Sequence, residues 1–244
     1  MVRATKVAIA ADSPDTVLAG SMVAKRGGNV VDIAVACAMA AAHTEVLMCS
    51  LGGSAFINVK MPSRAAEVID GGDAMPQAAA GLKPDDASWR KAHIPYGDGI
   101  VVNVGHGSIA TPGMLSALES AWQRHGTLSW KEIMAPAIHF AKYGATTNQT
   151  LASWLDLAGD AIFSVQKESR ECFFPGGNPL RAGDIFTIPD YLATLELIAE
   201  EGARAFYQGE IGALLEQELQ PNGGLVARND LASYRAAIRR PIQL

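Results

Sequence analysis

The chain has 244 residues, 49% of them hydrophobic and 18% charged, with a formal net charge of −5. That is enough apolar material for a substantial core, while the acidic balance leaves no basic footprint for nucleic acid and no Lys/Arg run for an anionic membrane surface. Cys37, Cys49 and Cys172 are odd in number and widely spaced, so they offer neither a disulfide framework nor a CxxC metal site, and His43, His93, His106, His125 and His139 show no HExxH spacing.

The apolar stretch after Lys6 is ended by Asp12 and is short for a secretory leader. The longest apolar run, Val30 to Ala42, contains Asp32 and is too short to span a bilayer. The expectation is a cytoplasmic protein, or a periplasmic or secreted one if a leader has been removed.

Val7 to Ala11 reads as a short buried strand. Ser13-Pro14 opens a helix, because serine caps free amide hydrogens and proline suits the first helical position. Val17, Leu18, Met22 and Val23 share one face of it, and Gly27-Gly28 stops it. Asn29 caps a second helix predicted to run to about Leu47. It is apolar on nearly every side, which predicts burial between layers. Cys37 falls inside it as a small hydrophobe. Cys49, just before a glycine turn, has no identifiable base to activate it as a nucleophile.

Gly52-Gly53 feeds a strand over Ala55 to Lys60, and Ala66 to Asp70 returns beside it after a turn at Met61 to Arg64, predicting a hairpin. Residues 71–100 read as loop, with Pro76, Pro84 and Pro95. Thr111-Pro112 opens a helix to about Arg124, and the capping box Ser129-Trp-Lys-Glu132 opens another that stops at Gly144. Helix is predicted over 151–168, a turn at Pro175 to Pro179, and helices from Ile188-Pro189-Asp190 to Glu201-Gly202 and from Gly209 to Leu219. Asp230 to Tyr234 reads as a helical turn and Ala236 to Leu244 as a strand. Strands with a segregated helical block predict an α+β or α/β layered sandwich, one domain over 1–244, without internal repeat or linker.

Four segments resemble the large-subunit portion of γ-glutamyltranspeptidases and related amide hydrolases. They are Gly27-Gly-Asn-Val-Val-Asp32 with Leu51-Gly-Gly53 and Phe56; Asp70 to Pro76; Thr111-Pro-Gly113 with His125-Gly-Thr127 and Pro136-Ala137; and Gly202 to Gly209 with Gly223-Gly-Leu225 and Asp230 to Tyr234. The resemblance implies part of a four-layer αββα sandwich of the N-terminal-nucleophile hydrolase type. It also implies a zymogen that cuts itself autocatalytically into a heterodimer, a small-molecule amide substrate, and no cofactor or metal. The nucleophile of that family is a threonine opening a second chain, the small subunit. No segment here matches it, so no catalytic residue is expected in this chain, and the partner is that small subunit.

One departure stands out. The family reads Asp-x-Arg-Glu where this chain reads Asp70-Gly71-Gly72-Asp73, so Gly72 holds the position of the arginine that grips the substrate's α-carboxylate. Glycine cannot replace a bidentate guanidinium fork. Gly71, Gly72 and Asp73 are therefore expected to form a roomier, more negative substrate-binding corner, suited to a neutral or cationic group or a different amide. The alternatives are a true γ-glutamyltransferase or glutathione hydrolase using another cation, such as Arg64 or Arg90, and a non-catalytic scaffold of the same fold.

Overall fold

The computed structural model describes residues 7–62, 64–83 and 88–242. The expected turn over Met61 to Arg64 includes Ser63, and the terminal segments 1–6 and 243–244 complete other expectations; these positions lie outside the described residues, as do 84–87.

The helical signals of the sequence are local and they hold. Helix α1 spans Pro14–Lys25 with Ser13 Oγ accepting from Asp15 N–H at 3.2 Å, and it ends where Gly27 takes φ 88°. Helix α2 spans Val30–Thr44. Asn29 Oδ1 accepts from the amides of Val31 and Asp32, and Asp32 Oδ2 accepts from Asn29 N–H, closing a capping box. The helix stops short of Leu47, which takes φ 99°, while Glu45 turns back to accept the Ser13 amide. The helix is buried along most of its surface, with Val35, Ala36, Met39 and Ala40 in the core. Burial on all sides is not realised, since Val30 is 55% exposed and Ala34 lies one turn further along the same uncovered stripe.

Strands β1 (Ala55–Val59) and β2 (Glu67–Gly71) form the expected antiparallel hairpin, with Phe56 opposite Asp70. A second hairpin, β3 (Arg90–Ile94) and β4 (Ile100–Val104), lies where loop was expected. Helices α3 (Met114–His125) and α4 (Trp130–Tyr143) follow, α4 with its capping box. Strands β5 (Ala145–Thr146) and β6 (Ile185–Phe186) pair across α5 (Gln149–Ile162) and α6 (Lys167–Phe173). Helices α7 (Tyr191–Glu201), α8 (Arg204–Tyr207), α9 (Glu210–Leu219) and α10 (Arg228–Ser233) complete the helical layer. The terminal strand β7 is Ala237–Arg239, shorter than expected, and it pairs with β2 to give the order β1-β2-β7.

Val7 to Ala11 is not a strand. Its backbone finds no sheet neighbour among the described residues, and without one to take its N–H and C=O groups no strand forms. Val7 and Ile9 pack instead against the main core.

That core joins α2, α3, α4 and α7 to the inner face of the β1-β2-β7 sheet, through Ile69, Leu115, Leu118, Ile133 and Leu195. A satellite cluster around Phe173, Phe174 and Phe186 lies against the far end of α2. Between the two sits His43, fully buried, edge-on to Phe186 at 5.2 Å and to Tyr191 at 5.5 Å.

Asp32 is buried among donors: Thr127 Oγ1 at 2.6 Å, the Thr127 amide at 2.9 Å and the Leu128 amide at 3.4 Å, besides Asn29 N–H. Removing the carboxylate strands all of them. Asp32→Ala is expected to cost about 3 kcal/mol or more in chemical denaturation, and Asp32→Asn less, since one acceptor oxygen survives.

Burial drives the His43 pKa down to about 4, only partly offset by the Phe186 backbone and the Asp15 carboxylate. The folded pKa lies below the unfolded one of about 6.5, so this stability is fully present above about pH 6.5 and is lost as pH falls towards about 4. His43→Phe is expected to flatten denaturation midpoints across that window, whereas an unchanged pH slope would assign the acid lability elsewhere.

Candidate functional site

The glycine turn before β1 does structural work. Gly53 O accepts from the amides of Gly113 at 3.1 Å and Met114 at 2.8 Å, so this loop caps the start of α3. β2 then runs hard against the same helix. A Cβ at Gly71 would lie 2.6 Å from both Ala117 Cβ and Gly113 O, so this position is glycine because two backbones meet there.

Gly72 is different. Its φ is not in the left-handed region, and a Cβ would meet only Asp70 Oδ1 at 3.1 Å and Phe56 Cζ at 3.2 Å, both movable side-chain ends. Both of its backbone polar groups are held: N–H donates to Asp70 Oδ1 at 2.9 Å, and O accepts from the Tyr234 hydroxyl at 2.5 Å. Asp73 N–H donates to Ser54 Oγ at 3.2 Å, and the Asp73 side chain is exposed. Ala74 and Thr111 exchange backbone hydrogen bonds of 3.0 and 2.8 Å just beyond. Gly71 thus faces the interior, while Gly72 and Asp73 form a pinned corner at the sheet's rim.

A cation lies beside the corner. Asp70 Oδ2 forms an ion pair with Arg239 Nε from β7. The Asp70 carboxyl is held below its ordinary pKa, first by the Gly72 amide and then by Arg239. Tyr234 stacks on Tyr207 at 5.8 Å, and its phenol is pushed up by burial and by the Asp70 and Asp73 charges. The arginines considered from sequence are engaged elsewhere: Arg64 reaches Arg124 O at 3.4 Å, and Arg90 donates to Ala161 O.

Arg239 and Ser54 are the residues that sequence reading missed, and Tyr234 was read only as part of the Asp230 to Tyr234 motif, without its contact to Gly72. The signal for Arg239 is the pairing of β7 with β2, and that for Ser54 its contact with Asp73, which no local pattern encodes.

Beside the corner, a groove of about 930 Å³ runs between α2 and β1, lined by Val30, Ala34, Ala38, Leu47, Phe56 and Met114 among others. β1 is the edge strand here, with no pairing partner on its outer side among the described residues. Cys49 also lines the groove, but burial and the Glu45 charge raise its pKa, which opposes thiolate formation. Among the described residues no group of His, Cys, Asp and Glu side chains could hold a metal ion, and no helix is long and apolar enough to cross a membrane.

The family model described as Gamma-glutamyltranspeptidase matches residues 16–244. The chain belongs to the γ-glutamyltranspeptidase family. It is 31% identical to the glutathione hydrolase proenzyme of Escherichia coli, over 99% of this chain and 40% of that protein. It is 32% identical to the acylase ACY 1 proenzyme of Pseudomonas sp., over 92% of this chain and 40% of that protein. The crystal structure of Helicobacter pylori γ-glutamyltranspeptidase superimposes with a TM-score of 0.84 at 27% identity, covering 99% of this chain and 68% of that one. The fold is accordingly α+β, part of the four-layer αββα sandwich of that family. The chain spans about two-fifths of the length of these curated relatives.

Proposed function

We propose that residues 1–244 act as the non-nucleophile, large-subunit portion of a self-processing amide hydrolase or acyltransferase, with acyl specificity altered at Gly72. The relatives are named as proenzymes, and the chain covers 40% of two of them. The open groove and the unpaired outer side of β1 supply a surface for the remaining portion.

In this reading a threonine opening the small subunit carries the chemistry. Its α-amine takes the hydroxyl proton, the oxygen attacks the amide carbonyl, and hydrogen-bond donors stabilise the oxyanion. Collapse expels the amine, and water or a second amine then removes the acyl group. This chain contributes no group to those bond changes. Its part is recognition, by the corner of Gly71, Gly72 and Asp73, where Gly71 allows the close packing and Gly72 and Asp73 meet the acyl group.

The absence of a guanidinium at position 72 is the observation that carries the specificity. A bidentate arginine–carboxylate contact contributes roughly 1.5–3 kcal/mol. The assembled enzyme is therefore expected to turn over γ-glutamyl anilides with kcat/KM on the order of ten- to a hundredfold below amides lacking an α-carboxylate. Because Gly72 has an ordinary backbone conformation, Gly72→Arg is expected to recover part of that deficit once Phe56 and Asp70 shift by a few tenths of an ångström. A wild-type preference for γ-glutamyl donors, unmoved by Gly72→Arg, would put carboxylate recognition on another residue.

A second expectation concerns the chain by itself. Purified 1–244 is expected to show no amide turnover and to bind a hydrophobic dye through the groove beside Val30 and Ala34, with the nucleophile-bearing portion suppressing the dye signal. Robust turnover by the isolated chain would overturn the assignment of the nucleophile.

A further inference from the structure

We propose that Arg239 is a positioning residue: through Asp70 it fixes the Gly72 amide, and with it the acyl-recognition corner, without itself binding the acyl group. The inference rests on the reading of Gly72 and Asp73 as that corner.

An exposed ion pair is ordinarily worth little, and Arg239 is 64% exposed. This pair differs because both oxygens of its carboxylate are engaged. Asp70 Oδ1 accepts the Gly72 N–H at 2.9 Å, and Oδ2 takes Arg239 Nε. Both oxygens therefore lie on one line of restraint from β7 to the corner. The same C-terminal stretch supplies the opposite grip, since Tyr234 donates to Gly72 O at 2.5 Å. One short segment thus bears on both peptide groups that flank the Gly72 Cα, directly through Tyr234 and by way of Asp70 through Arg239.

The charges around Asp70 explain why a cation is needed. Arg239 faces it from β7, and its charge helps to push up the Tyr234 phenol. Phe56, its partner on β1, is uncharged. Without Arg239, Asp70 Oδ2 would lose its cation, and the carboxylate that receives the Gly72 N–H would be held less firmly. Conversely, an Arg239 turned towards a substrate carboxylate would have to leave Asp70 and loosen the corner it serves.

The test uses the assembled enzyme, with kcat and KM measured on a γ-glutamyl anilide and on an anilide with a neutral acyl group. Arg239→Gln is expected to raise KM for both donors alike, by roughly three- to tenfold, with kcat within about twofold of wild type. Adding Asp70→Asn is expected to raise KM little further, because the two side chains act through one contact. Arg239→Lys, which keeps a charge for Asp70, is expected to restore most of the wild-type KM. A loss confined to the carboxylate-bearing donor, without rescue by lysine, would make Arg239 a substrate-binding residue and overturn the proposal. Independent, multiplying KM effects in the double variant would also overturn it.

If Arg239→Gln fails to assemble, Asp70→Asn reads the same link: a comparable rise in KM for both donors is expected, and a wild-type KM would overturn it. If the wild type turns over neither amide, the functional reading fails on its own. The pair is then read from thermal unfolding. A Tm gap between wild type and Arg239→Gln is expected at neutral pH and should close in acid as Asp70 protonates; no gap would sink the positioning role independently of activity.

Discussion

The Asp32 carboxylate ties the start of α2 to the loop between α3 and α4, and the positions of the remaining elements descend from that tie. Its oxygens take the Asn29 amide, the Thr127 amide and hydroxyl, and the Leu128 amide, while Asn29 Nδ2 reaches across to His125 O at 2.6 Å. The approach is so close that a Cβ at Gly126 would sit 2.9 Å from Asp32 Oδ1, and one at Gly28 would sit 2.6 Å from Val23 Cγ1. The Gly-Gly-Asn-Val-Val-Asp run is therefore architecture. It fixes the far end of α3, Gly53 O fixes the near end, and β2 is laid against the helix between them. Outside that contact, Glu67 on β2 clasps Arg124 and His125 at the end of α3, its carboxyl held down to about 2 chiefly by the Arg124 hydrogen bond.

What the sequence disclosed follows from range. Caps and stops act over three or four residues, so Ser13, Asn29, Ser129, Gly144 and Gly202 could be read directly and their helices stand within a few residues of expectation. The β3–β4 hairpin was hidden because Pro95 and the glycines at 97 and 99 look like loop, although two of them sit at φ 60° and 93° inside a turn joining paired strands. Val7 to Ala11 has strand composition but no neighbour to complete it. In the candidate site, Gly72 and Asp73 were legible by motif. The backbone conformation of Gly72, the tight packing that makes Gly71 a glycine, and the pairing of Asp70 with Arg239 were not, because each depends on a contact distant in sequence.

The same distinction separates the two faces of α2. Toward α3 and α4 its alanines permit close approach, and Val35, Ala36 and Met39 vanish into the core. The opposite stripe, from Val30 through Ala34, is apolar without cover and borders the groove along β1. A uniformly apolar helix is a statement about how many surfaces it must eventually meet, and this chain meets only some of them.

The backbone at Gly72 is held by residues that lie far down the chain from it. Its carbonyl partner lies 162 residues downstream, and the arginine that steadies Asp70 lies 169 residues from it. Contacts of such span close only after the intervening chain has ordered. During vectorial synthesis, α1, α2 and the first hairpin emerge well before the segment that completes the corner. The rim around Gly72 is thus finished only after the elements that precede β7, and its assembly reports on whether everything between β2 and β7 has already found its place.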